Sequence, residues 1–245
     1  MMSLKKCFVI VIAILIAVLF SANVVLAQCC VPLNPVATAD NRLSDMEHFY
    51  NWKLLFDGKT LNNWQIAKPN DKSWKVVNRT IYTDGTGSGY LYTKQQYSNF
   101  ELKFDFKISK GGNSGVFFRV ADIKDIVGTG IEMQIFDSYG REKLSKHDCG
   151  AIYDILEPSE NACKPALEWN SAAIRAQNNF ITVIMNDKKI ITMDLNKWTE
   201  AGKNPDGTPN KFPRAYKDMP RKGYIALQNH GSEVWYKNIR IKELN

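Results

Sequence analysis

Three stretches between Asn99 and Asp137 decide the fold: NFELKFDFKIS (99–109), KGGNSGVFFRV (110–120) and IEMQIFD (131–137). In the first, Phe100, Leu102, Phe104, Phe106 and Ile108 alternate with Glu101, Lys103, Asp105 and Lys107. A period of two puts the apolar set on one face of a strand and the charged set in water. The Gly111-Gly112 turn leads into a second strand, in which the alternation puts Val116, Phe118 and Val120 on one face and Phe117 and Arg119 on the other. In the third stretch Met133 and Ile135 suit the core. Glu132 and Gln134 then fall on the same side as Arg119. Acid, amide and arginine on one face of neighbouring strands describe a polar groove on a curved sheet.

Outward from this centre the chain reads as many short strands separated by turn residues. Trp52 to Phe56 is a strand closed by Asp57-Gly58, and Trp74 to Thr83 is a hairpin around Asn78-Arg79. Phe180 to Asp194 is a hairpin across Asn186-Asp187, and Gly223 to Gln228 and Glu233 to Lys242 close the sheet. The parity of apolar residues changes within the last strand, so a bulge is expected near Lys237-Asn238. Ser44, with Glu47 three residues later, is a capping-box signature for a short helical turn. Trp198 to Tyr216, rich in Pro, Gly, Lys and Asn, reads as an excursion over the surface. There is no internal repeat and no long amphipathic helix. This pattern predicts an all-β, antiparallel β-jelly-roll sandwich of two sheets.

The chain has 245 residues and a formal net charge of +7, with the basic residues scattered rather than clustered among aromatics, which argues against a nucleic-acid partner. Lys5 and Lys6 precede an apolar run from Phe8 to Phe20, and Val25 and Ala27 stand where a signal peptidase reads. The run is shorter than the ~20 residues that span a bilayer. Residues 1–28 therefore read as a signal peptide, 29–45 as a linker and 46–245 as one jelly-roll domain. Leu26-Ala27-Gln28-Cys29 resembles a lipoprotein box, although Gln28 departs from the small residue such boxes carry. The expectation is an exported protein, periplasmic or held at the outer membrane through a lipidated Cys29. In an oxidising compartment Cys149 and Cys163 are expected to form a disulfide worth roughly 3 kcal/mol.

Glu132 and Gln134 share a face by parity, and Asp137 joins them if the strand bulges near Phe136. The spacing is that of the paired acids on jelly-roll glycosidases, with an amide in the middle position. A retaining pair needs carboxyls ~5–5.5 Å apart. Arg119 and Phe117 suit sugar recognition, through hydroxyl or anion binding and ring stacking, while an Arg119–Glu132 salt bridge is the structural alternative. His230, at a strand end before Gly231, and His147 are candidate proton carriers; His147 is equally a candidate metal ligand.

A run of motifs carries a resemblance to a known family. Leu55-Phe56-Asp57-Gly58-Lys59-Thr60-Leu61 with Trp64, GGNSGVFFRV (111–120), EMQIFD (132–137), GAIYD (150–154), EWN (168–170), LQNHG (227–231) and NIRIKEL (238–244) resemble, in order, the 3-keto-disaccharide hydrolase family. The likeness runs from Trp52 to Leu244. It implies a concanavalin A-like jelly roll acting on glycosides or oligosaccharides. It also implies a chemistry in which a C3 ketone acidifies the C2 proton, a base removes it, and the C1 substituent leaves. Glu132 and His230 are then the candidate base and acid, with Arg119 or a divalent metal ion stabilising the enolate. Asn113, Gln134, Tyr153, Asp154, Glu168 and Gln228 would bind hydroxyls. Two other functions remain open on residue pattern: a non-catalytic carbohydrate-binding module, and a conventional glycoside hydrolase using Glu132 and Asp137.

Overall fold

The strand that opens the deciding stretch has its expected alternation: Phe100, Leu102, Phe104, Phe106 and Ile108 are each at most 2% exposed, and the charged residues between them are half-buried. Burying each such side chain is worth roughly 1.5–3 kcal/mol. The computed structural model describes residues 40–245. The signal peptide, Cys29 and the first part of the linker lie outside these described residues.

Thirteen strands and two short helices follow in order. Helix α1 (Asp45–Phe49) precedes β1 (Lys53–Leu54), β2 (Trp64–Ile66), β3 (Trp74–Val77), β4 (Thr80–Asp84), β5 (Gly89–Thr93), β6 (Phe100–Ile108) and β7 (Asn113–Val120). Helix α2 (Ile126–Thr129) leads to β8 (Ile131–Phe136), β9 (Asn170–Gln177), β10 (Phe180–Met185), β11 (Lys188–Asp194), β12 (Tyr224–Asn229) and β13 (Glu233–Glu243). One sheet has the order β11-β10-β9-β6-β13-β4-β3, with β1 also pairing β13. The other has the order β2-β5-β12-β7-β8. Neighbouring strands run antiparallel. This is a jelly-roll sandwich of the concanavalin A-like kind, as the strand pattern predicts.

The main core lies between the sheets. Phe104, Phe106, Ile174 and Tyr236 from the larger sheet meet Leu91, Val116, Met133 and Leu227 from the smaller one. Among the described residues, no helix is long and apolar enough to cross a membrane. Helix α1 begins with the expected capping box, Ser44 and Glu47 satisfying each other's backbone N–H groups. The hairpin turns Asn78-Arg79 and Asn186-Asp187 have positive φ at both positions, as a type I′ turn requires. The expected bulge in β13 is present: its pairing with β6 shifts between Lys237 and Arg240, and Asn238 has φ of +54°.

Two sequence expectations need correction here. Val120 does not share the core face with Val116 and Phe118. Arg119 adopts a left-handed conformation, φ +54°, at an irregularity in the β7–β12 pairing. The extra residue resets the parity, and Val120 joins Phe117, Tyr92, Ile126 and Ala226 in a second apolar cluster. The second correction concerns Cys149 and Cys163, which are buried free thiols rather than a disulfide. Their side chains face each other, but Cys163 Sγ is turned to the Lys164 carbonyl oxygen at 3.4 Å.

Candidate active site

The second apolar cluster marks where the smaller sheet faces away from the sandwich core, and the polar groove is built beside it. Strand pairing puts Glu132 opposite Phe117 and Gln134 opposite Gly115, and puts Gln228 opposite Tyr90. Gly115 has no side chain, and the Glu132 carboxyl occupies the space a Cβ would need. Glu132 is 6% exposed. Burial pushes its pKa up to about 8, and the Lys211 charge opposes that shift. At neutral pH this carboxyl is mostly protonated and sits close to the range that suits a general acid or base.

Polar side chains form a chain from β8 through the start of β7 to the residue after β12. The Gln134 amide lies 3.3 Å from Glu132 Oε1. Its other end meets one end of the Asn113 side-chain amide at 3.1 Å, and the other end of that amide lies 3.5 Å from His230 Nδ1. Two further polar atoms face this region without a partner. Gln228 Oε1 belongs to a side chain 7% exposed, and the Tyr216 hydroxyl to one 1% exposed. The Tyr216 hydroxyl is pushed well up, first by burial and then by the nearby Glu132 and Asp154 charges. Unsatisfied buried acceptors and donors are costly in an empty groove. They fit a ligand that carries hydroxyls.

Of the other residues singled out by sequence, Tyr153 adjoins the centre. Its N–H donates to the Glu132 carbonyl at 3.0 Å, and its ring lies 4.1 Å beneath Lys211 Nζ. Asp154 acts on the loop instead: its carboxylate accepts from the Lys211 backbone N–H at 2.7 Å and meets His147 Nε2 at 3.1 Å. It thereby holds Lys211 beside Tyr153.

Four candidates do not stand where the sequence reading put them. Arg119 is fully buried, and its guanidinium donates to the Ser98 and Asn178 carbonyls and reaches Asn99 Oδ1. The bulge turns it away from Glu132, so neither the catalytic role nor the salt bridge is formed. Phe117 is 1% exposed and capped edge-on by Tyr90 at 5.4 Å, so Tyr90 is the aromatic that faces the groove. The Asp137 carboxylate is engaged by the Gly111 N–H at 2.8 Å in the β6–β7 turn, and it does not act on the Glu132 pKa. Glu168 is exposed on the loop leading into β9, a strand of the other sheet.

Lys211, Tyr216 and Tyr90 were missed by the sequence reading. Tyr90 alternates with Leu91 in β5 and was within reach of a parity argument. Lys211 and Tyr216 belong to the excursion 198–216, where no periodicity gives their direction. Among the described residues no three His, Cys, Asp or Glu side chains converge as a metal site would require. Around Glu132 the neighbours are amides, tyrosines and a lysine, a donor set that does not fit a divalent ion.

The fold and groove define a jelly roll with a single buried carboxyl at the floor of a polar, hydroxyl-seeking site. The chain belongs to the 3-keto-alpha-glucoside-1,2-lyase-like domain family, whose model matches residues 51–242. It is 29% identical over 225 residues to a 3-keto-disaccharide hydrolase of Bacteroides thetaiotaomicron, a match covering 78% of each chain. A crystal structure from Parabacteroides distasonis, assigned as a glycosyl hydrolase, aligns with a TM-score of 0.72 at 36% identity over 79% of this chain and 99% of its own. A second from that organism, with the same assignment, aligns with a TM-score of 0.70 at 27% identity, over 84% of this chain and 100% of its own.

Proposed function

We propose that the protein cleaves 3-keto-glucosides by removing the C2 proton and expelling the C1 substituent. The coarser reading, a glycan-acting hydrolase, rests on family membership and on the relatives above. The finer one rests on a single observation: Glu132 is a buried carboxyl with its pKa pushed up to about 8, and among the described residues no second carboxylate acts on it. A double-displacement glycosidase needs two. A base that takes a proton next to a ketone needs one, with a pKa matched to its task.

In the proposed sequence the ionised Glu132 takes the C2 proton, and the C2–H electrons move toward the C3 carbonyl oxygen as an enolate. The Lys211 ammonium and the unpartnered Tyr216 hydroxyl are the groups available to stabilise that oxygen. The enolate re-forms its ketone as the C1–O bond breaks, leaving a C1=C2 double bond. His230 gives a proton to the departing oxygen, and water then adds across the double bond, so that the net change is hydrolysis. Gln228, Asn113 and Gln134 bind ring hydroxyls.

The test is turnover of a methyl 3-keto-glucoside and of its unoxidised parent in D2O. Cleavage of the oxidised sugar alone, with deuterium at C2 of the released 3-keto-glucose, is the expected result. Product without deuterium at C2 would overturn proton abstraction, and cleavage of the parent would favour a conventional glycosidase. Export, with a lipid on Cys29, is part of the same proposal and is supported by the apolar run and box at the N-terminus. Acyl labelling of intact cells, lost in Cys29→Ala, tests it.

A further inference from the structure

Lys211 reaches the Glu132 centre from the excursion 198–216, which is clipped to the loop that follows β8. Lys146 Nζ donates to Thr208 Oγ1 at 2.7 Å, and the Lys211 backbone N–H donates to Asp154 Oδ2, also at 2.7 Å. The other carboxylate oxygen of Asp154 lies 3.1 Å from His147 Nε2. The His147 ring packs on Tyr153 with centroids 4.9 Å apart, and Lys211 Nζ lies 4.1 Å from the centroid of that same ring. Asp154 itself has φ of +62°, a left-handed conformation that Asp and Asn tolerate better than other side chains. Its N–H donates to the Lys146 carbonyl, which aims the carboxylate across at the excursion. Both carboxylate oxygens are therefore engaged by protein groups, and the side chain is only 19% exposed.

We infer that Asp154 is a positioning residue for the proposed reaction: by accepting from the Lys211 backbone it fixes the Lys211 ammonium over Tyr153 and beside the Glu132 carboxyl. The inference rests on the function proposed above, in which that ammonium stabilises the enolate. A lysine has four rotatable side-chain bonds, and on a segment without regular structure its charge would spread over many positions. The Asp154 bond fixes the root of the side chain and the Tyr153 ring guides its tip. Small displacements of such a charge carry large rate penalties. A direct action of Asp154 on Glu132 would have the opposite sign: a nearby carboxylate disfavours ionised Glu132, whereas Lys211 favours it. The other titratable groups around Glu132 are Tyr90, Tyr153, Tyr216 and Tyr236, all raised above their ordinary value and so uncharged near pH 8.

The test is the pH–rate profile of Asp154→Gly and Asp154→Asn on the methyl 3-keto-glucoside. Glycine takes the left-handed backbone without strain and removes the acceptor, while asparagine keeps both the backbone and an oxygen for the Lys211 N–H. Asp154→Gly should raise the midpoint of the rising kcat/KM limb by about half a unit, and lower kcat about tenfold with KM changed by less than about threefold. Asp154→Asn should hold the wild-type midpoint and recover most of kcat. On a Lys211→Met background Asp154→Gly should lower kcat by no more than about a further twofold, because the two residues act through one contact. A midpoint in Asp154→Gly that falls or stays in place, or a tenfold loss repeated on Lys211→Met, would overturn the inference. Should Asp154→Gly not fold, Asp154→Asn decides: a lowered midpoint, the mark of a lost negative charge, overturns it, and a wild-type midpoint supports it. If no 3-keto-glucoside is turned over, the function reading fails on its own. A carbon-13 titration of the Glu132 carboxyl, assigned by its loss in Glu132→Gln, then reads the positioning: a midpoint raised in Asp154→Gly supports it, and an unmoved one refutes it.

Discussion

The side-chain amide of Gln134 stands 3.3 Å from Glu132 Oε1 and 3.3 Å from the Ser114 carbonyl oxygen, a geometry satisfied when its nitrogen donates to both. Burial lifts the Glu132 pKa to about 8 against the opposing Lys211 charge, and an amide N–H donated by Gln134 also favours the ionised form. The groove therefore holds a carboxyl whose proton can be lost under mild conditions. As the base in the proposed reaction, Glu132 sets the rising limb of kcat/KM, with a midpoint near pH 8. Lys211→Met should move that midpoint upward by roughly half a unit or more, and Gln134→Leu should move it the same way. pH–rate profiles of the three proteins on one 3-keto-glucoside measure this. A profile that falls with pH and has no rising limb near 8 would make Glu132 the acid instead.

The same carboxyl ties stability to pH. Its folded pKa, about 8, lies above its ordinary value of 4.5. Between these values the folded chain holds a proton that the unfolded chain has released. Stability is therefore full below pH 4.5, declines as pH rises toward 8, and changes no further through this group above that. The decline is on the order of 5 kcal/mol. Glu132→Gln keeps the shape and removes the titration. Its Tm should match the wild type at pH 5 and exceed it at pH 9 by roughly 5–15 °C. Its turnover should fall by about a thousandfold or more at both pH values.

Gly115 makes a separate demand on the same carboxyl. A methyl group there would collide with the Glu132 carboxyl from the neighbouring strand. Gly115→Ala should displace that side chain and lower kcat by about a hundredfold, because small misplacements of a reacting group carry penalties of that size. Global stability should fall by only about 1–2 kcal/mol. Circular dichroism melts read beside kinetics separate the two effects.

The sheets and the Glu132–Gln134 face were legible in sequence because a strand has a strict period of two, and β6 and β8 keep it. That period fails where one residue is inserted. Arg119 at φ +54° looks in sequence like a member of the groove face, yet the bulge it creates reverses the parity that made it look so. Lys211 and Tyr216 reach the site from a segment without regular structure, so their direction is set by tertiary contacts such as the bond from the Lys211 N–H to Asp154. No residue pattern near them encodes that contact. Asp137 could be placed beside Glu132 only by assuming a bulge at Phe136, and β8 ends there instead.

Arg119 offers the sharpest separation of fold from chemistry. Its guanidinium is fully buried, and burial, with Arg221 nearby, lowers its pKa to about 10. It stays charged at neutral pH because the Ser98 and Asn178 carbonyls accept from it at 3.0 and 2.8 Å. Hydrogen bonds to a charged group contribute about 1.5–3 kcal/mol each, and removing the donor leaves two carbonyls unpaired. Arg119→Met should lose about 2–4 kcal/mol of stability, lowering Tm by roughly 5–15 °C. Below its own melting point the variant should keep kcat within about threefold of the wild type and an unshifted pH midpoint. A loss of kcat of a hundredfold at wild-type Tm would return Arg119 to the reaction. The reverse outcome assigns its charge to joining the β7 bulge to the turn after β9.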